Sequence, residues 1–178
     1  MEANKNKNSY QLFNHLKFSA FYDQISRPII ISDNLRTPEN IGAVLRIAAN
    51  IGAEKVFFIS DDAKQFKDHR IFRTASGAAD KLQWKSISME DLSLLIPAEY
   101  RLIALETVRE STNIYNFSFT EKVAFLIGNE VNGINDKLLQ LANDSIYIPV
   151  PGSISSLNVS HALAVAAFEW LRQMTLKF

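Results

Sequence analysis

Short apolar runs alternate with amphipathic stretches along most of this chain. The runs in "RPIIIS", "KVFFIS", "YRLIALE" and "KVAFLIG" are continuous, which is typical of strands buried on both faces of a sheet. Two further segments, "LQWKSIS" and "SIYIPV", have the β-branched and aromatic content of short strands. The pattern therefore predicts six strands.

The stretches between these runs have helical spacing and the residues that begin and end helices. Thr37 and Pro38 suit the start of a helix, and Gly52 suits its end. The other predicted helices are the amphipathic stretch from Tyr10 to Ile25, "SMEDLSLLI", "NDKLLQLA" and the apolar segment after Leu157.

Strands that alternate with helices predict an α/β fold, with a mostly parallel sheet covered by helices on both faces. We expect an N-terminal extension with a helix over residues 1–26 and one domain over residues 27–178. Because ligands bind beyond the carboxyl ends of parallel strands, the site is expected in the loops that follow Ile31, Leu105, Ile127 and Ile148.

Composition narrows the class of protein. The chain has 178 residues, 47% of them hydrophobic, which is enough for a core without disulfides or metals. It has no cysteine, so thiolate catalysis and zinc–sulfur sites are excluded. Its three histidines show no metal-ligand spacing, and we expect no metal. Without an apolar run near 20 residues or a secretory signal, we expect a cytoplasmic protein with no membrane partner.

Charge is balanced over the whole chain but not locally. Lysine plus arginine and aspartate plus glutamate each number 19. Between residues 64 and 85, however, the chain has six lysines and arginines but only two aspartates. Four of them, which we call the basic ridge, recur at every third position and would share one side of a helix: Lys64, Lys67, Arg70 and Arg73. The ridge is either a solvated helix face or a surface that contacts phosphate groups.

Familiar nucleotide and hydrolase signatures are absent. The chain contains neither G-x-G-x-x-G after the first strand nor the P-loop pattern, and no G-x-S-x-G surrounds a serine. These absences weigh against a dinucleotide enzyme, another small-molecule enzyme on a doubly wound sheet, and a serine hydrolase.

Three motifs in order resemble the SpoU (TrmH-type) branch of the SPOUT RNA methyltransferases. "NIGAVLRIA" matches N-x-G-x-x-x-R, "FLIGNEVNGI" matches G-x-E-x-x-G, and "IPVPGSISSLNVSHALAVAAFE" matches the family's closing S-L-N segment. The resemblance extends from about Ile29 to the C-terminus. It implies a C-terminal trefoil knot, S-adenosylmethionine as cofactor, a homodimer, and methylation of a ribose 2′-hydroxyl in tRNA or rRNA. We favour tRNA because small stand-alone members often act there, with rRNA as the alternative.

The resemblance also assigns residues. It implies a catalytic set of Arg46, Asn40, Glu130, Ser156 and Asn158, and a cofactor-binding set of Leu105, Gly128, Ile148 and Leu157. Arg46 would act from the partner subunit, as a base or as a clamp on the adjacent phosphate. Guanidinium groups stay protonated in proteins, so the clamp is the easier role. The apolar positions around Arg46 favour a side chain that points inward, although a salt bridge on the helix surface is the alternative.

Some of these residues also have simpler interpretations. Glu130 could be structural, or could fix Asn40 or Arg46 of a neighbouring subunit, and Asn158 could cap the last helix. The chain lacks the separate N-terminal RNA-binding domain of many family members, so we expect its own surface, including the basic ridge, to capture RNA. A non-catalytic RNA-binding protein that retains the fold is the competing class.

Overall fold

The computed structural model describes residues 8–13, 20–60 and 62–177. Within them, seven strands form one sheet in the order β3-β2-β1-β6-β4-β7-β5, and every neighbouring pair is parallel. The predicted α/β class and parallel sheet are confirmed. The strands are β1 (Ile29–Asp33), β2 (Lys55–Ile59), β3 (Gln83–Ile87), β4 (Arg101–Leu105), β5 (Thr112–Asn113), β6 (Val123–Ile127) and β7 (Asp144–Tyr147).

Seven α-helices connect or flank these strands in the described part of the chain. They are α1 (Ser9–Phe13), α2 (Phe21–Gln24), α3 (Pro38–Asn50), α4 (His69–Ala75), α5 (Leu92–Leu95), α6 (Asp136–Leu139) and α7 (Val159–Thr175). Short 3₁₀ helices cover Ala63–Lys67 and Ile114–Asn116. The helix predicted from Tyr10 to Ile25 corresponds to α1 and α2, and residues 14–19 between them lie outside the described residues.

The sheet separates two hydrophobic cores because neighbouring residues of a strand face opposite sides. In β1, Ile30 packs in the core that contains Val44 of α3 and Trp170 of α7. Ile29 and Ile31 pack in the other core, on the side of α5 and α6. All three isoleucines are buried, as their continuous apolar run predicts.

The two ends of α3 are formed by the residues that the sequence indicates. The Thr37 hydroxyl accepts the backbone N–H of Asn40 at 3.3 Å, and Pro38 takes the first turn. Past the last turn, Gly52 adopts a φ of +66°, a left-handed conformation that favours glycine.

Gly42 lies in the middle of α3, where α4 crosses it. A Cβ at this position would lie 2.6 Å from the carbonyl oxygen of Ile71 and 2.7 Å from the Cβ of Thr74. The motif glycine therefore permits a close helix–helix contact. Among the described residues, no helix has the length and apolar character that a bilayer crossing requires.

Candidate active site

A chain of hydrogen bonds joins the loops that follow β1 and β6 at the carboxyl end of the sheet. The carboxylate of Glu130 accepts the backbone N–H groups of Arg36 and Thr37, at 3.0 and 3.1 Å. It also accepts the Thr37 hydroxyl at 3.0 Å and the side-chain amide of Asn40 at 2.8 Å. Glu130 therefore holds the loop that leads into α3 and the first turn of that helix.

Asn158 connects the same network to the loop after β7. Its Nδ2 donates to Oδ1 of Asn40 at 3.0 Å, and its Oδ1 accepts the backbone N–H of Ser160 at 2.9 Å. Asn158 is thus the N-cap of α7 and a partner of Asn40 at once. Because Asn40, Glu130 and Asn158 come from the three sequence motifs, we call these three residues the motif network.

The pKa of the Glu130 carboxyl reflects this network. Partial burial by itself raises the pKa. The hydrogen bonds donated by the Asn40 amide and by the backbone N–H groups of Glu130, Arg36 and Thr37 outweigh burial and lower it below its ordinary 4.5. At neutral pH Glu130 is therefore a carboxylate whose oxygens are occupied by structural donors, which suits positioning better than proton transfer.

Glu130 and Asn40 contact each other within a single chain. This differs from the interpretation in which the carboxylate reaches a neighbouring subunit, and it favours the structural role that the sequence left open. The physical reason is that β1 and β6 are paired in the sheet, so the loops that follow them emerge side by side.

The loop after β6 turns back on itself at Gly133. Asn129 and Gly133 exchange backbone hydrogen bonds of 2.9 and 3.1 Å, and Gly133 has a φ of +69°. A Cβ on Gly128 would overlap the backbone of Gly133. Glu106, which follows β4, stabilises the turn because its carboxylate accepts the N–H of Ile134 at 2.9 Å. Both motif glycines are therefore required by this tight turn.

Three of the four predicted cofactor residues lie at one edge of the sheet. Leu105 ends β4 and is in register with Ile127 of β6 and Ile146 of β7. Gly128 directly follows Ile127, and Ile148 lies two residues beyond Ile146. Leu105 and Ile148 are half-buried, so each presents part of its side chain at this edge.

The remaining predicted residues of the closing motif lie in an exposed segment. Every residue from 151 to 158 is exposed, with Leu157 at 40%. Residues 149–157 make no hydrogen bond with any described residue, by backbone or by side chain. Ser156 is therefore not joined to the motif network, although Asn158 two residues later is.

Arg46 is placed away from the motif network. Its side chain is exposed, so the inward orientation favoured by the sequence is wrong for the single chain. Arg46 follows Asn40 by six residues, which displaces it by about 9 Å along α3 and turns it to another side of the helix. It forms no hydrogen bond or ion pair with the described residues, which also weighs against a surface salt bridge.

The basic ridge is not one side of one helix. A 3₁₀ helix ends at Lys67. The next helix, α4, is separate and has Asp68 as its N-cap. The guanidinium of Arg70 is engaged by Asp68 at 2.7 Å and by Glu39 at 3.5 Å. Arg73 lies on α4, and the side chain of Lys64 lies outside the described residues. The prediction of a continuous cationic side is wrong because the cap of α4 interrupts it.

Two residues of the site were missed at the level of sequence. Thr37 was predicted only as a helix start, yet its hydroxyl also donates to Glu130. Glu106 follows the buried strand β4 directly and supports the turn after β6. A carboxylate immediately after a buried parallel strand is a signal that could have identified Glu106.

The chain is similar to known proteins over most of its length. Residues 27–168 match the sequence model of the SpoU rRNA Methylase family. A relative from Xylella fastidiosa (strain 9a5c), named 23S rRNA (guanosine-2′-O-)-methyltransferase RlmB, is 33% identical over 150 residues. Those residues are 83% of this chain and 59% of the relative. The chain spans about three-fifths of the length of the first curated relatives it matches.

Two solved structures show the same fold. An AdoMet-bound rRNA methyltransferase from Sinorhizobium meliloti superimposes with a TM-score of 0.76 and 24% identity, covering 84% of this chain and 57% of that one. A structure described as giving insights into 2-OH methylation of C/U34 on tRNA has a TM-score of 0.76 and 25% identity. It covers 84% of this chain and 97% of that one.

Proposed function

The chain belongs to the SpoU rRNA methylase family, and we propose that it transfers a methyl group from S-adenosylmethionine to a ribose 2′-hydroxyl of RNA. The observation that carries this proposal is the motif network. Its hydrogen bonds bring the three family motifs together at the carboxyl end of a parallel sheet, where ligands of such sheets bind. A pure RNA-binding protein has no need of this convergence.

The residues at that edge fit S-adenosylmethionine. Leu105 at the end of β4 and Ile148 just after the neighbouring β7 offer apolar surface for an adenine ring, beside Gly128 at the end of β6. Residues 149–157 add backbone N–H and C=O groups that no described residue engages. Leu157 would complete the apolar contact. When bound, S-adenosylmethionine supplies an electrophilic methyl group on a sulfonium.

The chain's own residues provide positioning. The motif network fixes the starts of α3 and α7, so that the loops around a bound ribose keep one geometry. Alignment of the reacting atoms is a large part of the rate enhancement available to such a transfer. Ser156, two residues from Asn158, would contact the ribose. Arg46 would grip the adjacent phosphate through its planar fork and hold the hydroxyl in line.

A homodimer is part of this proposal. Arg46 lies on the exposed side of α3, which packs against α7, and Phe168 of α7 is 47% exposed. A second copy on this face would cover the phenylalanine and receive Arg46 in its own site. If so, co-expressing Arg46→Ala with Asn158→Ala restores one site in each mixed dimer, about a quarter of wild-type activity. No restoration would contradict action across the dimer.

We also propose the trefoil knot and the domain division. The chain enters β6 beside β4 and then crosses to the far side of β4 to form β7, which is compatible with a threaded C-terminal segment. The family match begins at residue 27, which supports an extension over 1–26 and a domain over 27–178.

We propose tRNA as the substrate, with rRNA as the alternative. The tRNA-related structure is matched over 97% of its length, whereas the rRNA methyltransferase relative is matched over 59%. The test is transfer of a tritiated methyl group from S-adenosylmethionine to tRNA and to rRNA from cells that lack this protein. Label in the tRNA pool is expected. Label in rRNA alone would select the alternative, and cofactor binding without label in either pool would favour a non-catalytic RNA-binding protein.

A further inference from the structure

Glu106 is the first residue after β4 and lies at what we call the cofactor edge, the carboxyl ends of β4, β6 and β7 with Leu105, Gly128 and Ile148. Because β4 is between β6 and β7 in the sheet, Glu106 lies in the middle of this edge. The residue is half-buried. A negative charge is therefore placed beside the residues expected to hold S-adenosylmethionine.

The carboxylate of Glu106 is fixed by the backbone around it. Its Oε1 accepts the N–H of Thr107 at 3.0 Å, and its Oε2 accepts the N–H of Ile134 at 2.9 Å. A Cβ on Gly133 would overlap Oε2, so the carboxylate also packs directly against the turn after β6. Hydrogen bonds to two different loops therefore hold the charge in one place.

These contacts do not balance the charge of Glu106, since both donors are neutral backbone groups. Within residues 8–13, 20–60 and 62–177, Glu106 forms no ion pair. Each of its oxygens accepts one hydrogen bond there, although a carboxylate oxygen can accept two. A partly buried carboxylate without a cation has lost solvation energy, and a cationic ligand at this edge would recover it.

S-adenosylmethionine and the product of methyl transfer differ by one positive charge. When the methyl group leaves, the electron pair of its bond to sulfur stays on sulfur. The cationic sulfonium thereby becomes the neutral thioether of S-adenosylhomocysteine. The adenosine, the ammonium group and the carboxylate are the same in both molecules. A fixed negative charge therefore attracts the two molecules differently only through the sulfur.

We propose that Glu106 is a specificity residue, which makes the site bind S-adenosylmethionine more tightly than S-adenosylhomocysteine because its carboxylate attracts the sulfonium. The inference rests on the proposed function. A unit charge several ångströms away in a partly solvated site changes affinity about fivefold. The spent cofactor would then leave the site more readily than the fresh one.

The first test replaces Glu106 by glutamine, which removes the charge at nearly constant shape. The readouts are the Kd values for S-adenosylmethionine and S-adenosylhomocysteine, measured by calorimetry without RNA. The preference for S-adenosylmethionine is expected to fall about fivefold, because its Kd rises more than that of the product. Glu110→Gln is the matched control. It removes the same charge from an exposed position in the same loop and should keep the wild-type preference, since solvent and salt screen that charge.

The second test, Glu106→Asp, separates the charge from the support of the turn. Aspartate keeps the charge, but its shorter side chain loses the contact with Ile134. Both Kd values are expected to rise by the same factor, which leaves the preference at its wild-type value. If Glu106 only supported the turn, the glutamine variant would also raise both Kd values equally.

An unchanged preference in Glu106→Gln would overturn the inference, as would an equal loss of preference in Glu106→Asp. If Glu106→Gln does not fold, salt provides the test on the wild-type chain. The preference should narrow as salt is raised, because ions screen a half-buried charge, and a preference independent of salt would overturn the inference. A wild-type chain that binds neither molecule would contradict the proposed function itself. Binding of both molecules with a preference that does not depend on Glu106 refutes only this inference.

Discussion

The side-chain amide of Asn40 donates to the carboxylate of Glu130 at 2.8 Å across 90 residues of sequence. This contact joins the first turn of α3 to the loop after β6, and Asn158 extends it to the start of α7. One residue from each of the three family motifs is thus joined to the others by side-chain hydrogen bonds.

Replacing Glu130 by glutamine is expected to lower stability at neutral pH by about 1 kcal/mol, because the new amide N–H₂ would face the N–H of Arg36. For a chain of this size the melting temperature falls by about 2–4 °C for each kcal/mol. Thermal unfolding of the wild-type and Glu130→Gln proteins at pH 7 measures the difference.

The same pair of proteins has a defined pH dependence. The folded-state pKa of Glu130 is lowered below 4.5, so its contribution to stability is fully present above that pH. The contribution is lost as pH falls through the lowered pKa. The difference in melting temperature between wild type and Glu130→Gln should shrink as pH decreases below 4.5. A difference that grows on acidification would contradict this role for Glu130.

Substitutions of Asn158 separate helix capping from the motif network. Asn158→Asp keeps an oxygen for the N–H of Ser160 but cannot donate to Asn40, so the capping of α7 should be retained while methyl transfer falls about tenfold or more. Asn158→Ala loses both interactions and should also lose about 1 kcal/mol of stability. Melting temperatures and initial rates check both statements. Full activity in Asn158→Asp would show that the contact with Asn40 is dispensable.

Gly42→Ala should disrupt the crossing of α3 and α4. The added Cβ would lie 2.6 Å from the carbonyl oxygen of Ile71, and overpacking of this kind costs about 1–3 kcal/mol. Gly152→Ala is the matched control, since a Cβ there meets nothing within 4 Å. Urea unfolding of the two variants gives the comparison, and equal midpoints would refute the packing role of Gly42.

Arg46→Ala is expected to abolish methyl transfer without changing the Kd for S-adenosylmethionine, because Arg46 lies away from the cofactor edge. Arg46→Lys should rescue little, since a lysine lacks the planar fork. Lys122→Ala removes one positive charge near the amino end of β6, opposite the site, and serves as the control for a general loss of charge. Unimpaired transfer by Arg46→Ala would remove Arg46 from the mechanism.

The sequence predicted the parts of the fold that depend on local pattern. Continuous apolar runs identified the central strands, because both faces of a parallel sheet are covered and every residue of such a strand is buried, as Ile30 and Phe125 are. Thr37 and Gly52 marked the ends of α3 for local reasons of capping and backbone conformation. The two-residue strand β5 was not predicted, since Thr112–Asn113 carries no periodic pattern.

The candidate site was predicted in composition but not in geometry. Motifs gave Asn40, Glu130 and Asn158, yet nothing local indicates that they bond within one chain, because that contact depends on the pairing of β1 with β6. Arg46 is exposed because the six-residue step from Asn40 to Arg46 turns the two side chains to different sides of α3. The apolar neighbours of Arg46 had suggested a buried position instead. The prediction of the basic ridge was wrong because the spacing of basic residues does not show that one helix ends before Asp68 and that Asp68 caps the next.

The measurement that tests the central claim most directly is the chemical position of the transferred methyl group. RNA labelled by the wild-type protein with tritiated S-adenosylmethionine is hydrolysed in alkali, which cleaves only next to a free 2′-hydroxyl. A methyl group on the ribose oxygen leaves the label in alkali-resistant dinucleotides, and this is the result we predict. Label in mononucleotides would place the methyl group on a base and contradict ribose 2′-O-methylation by this protein.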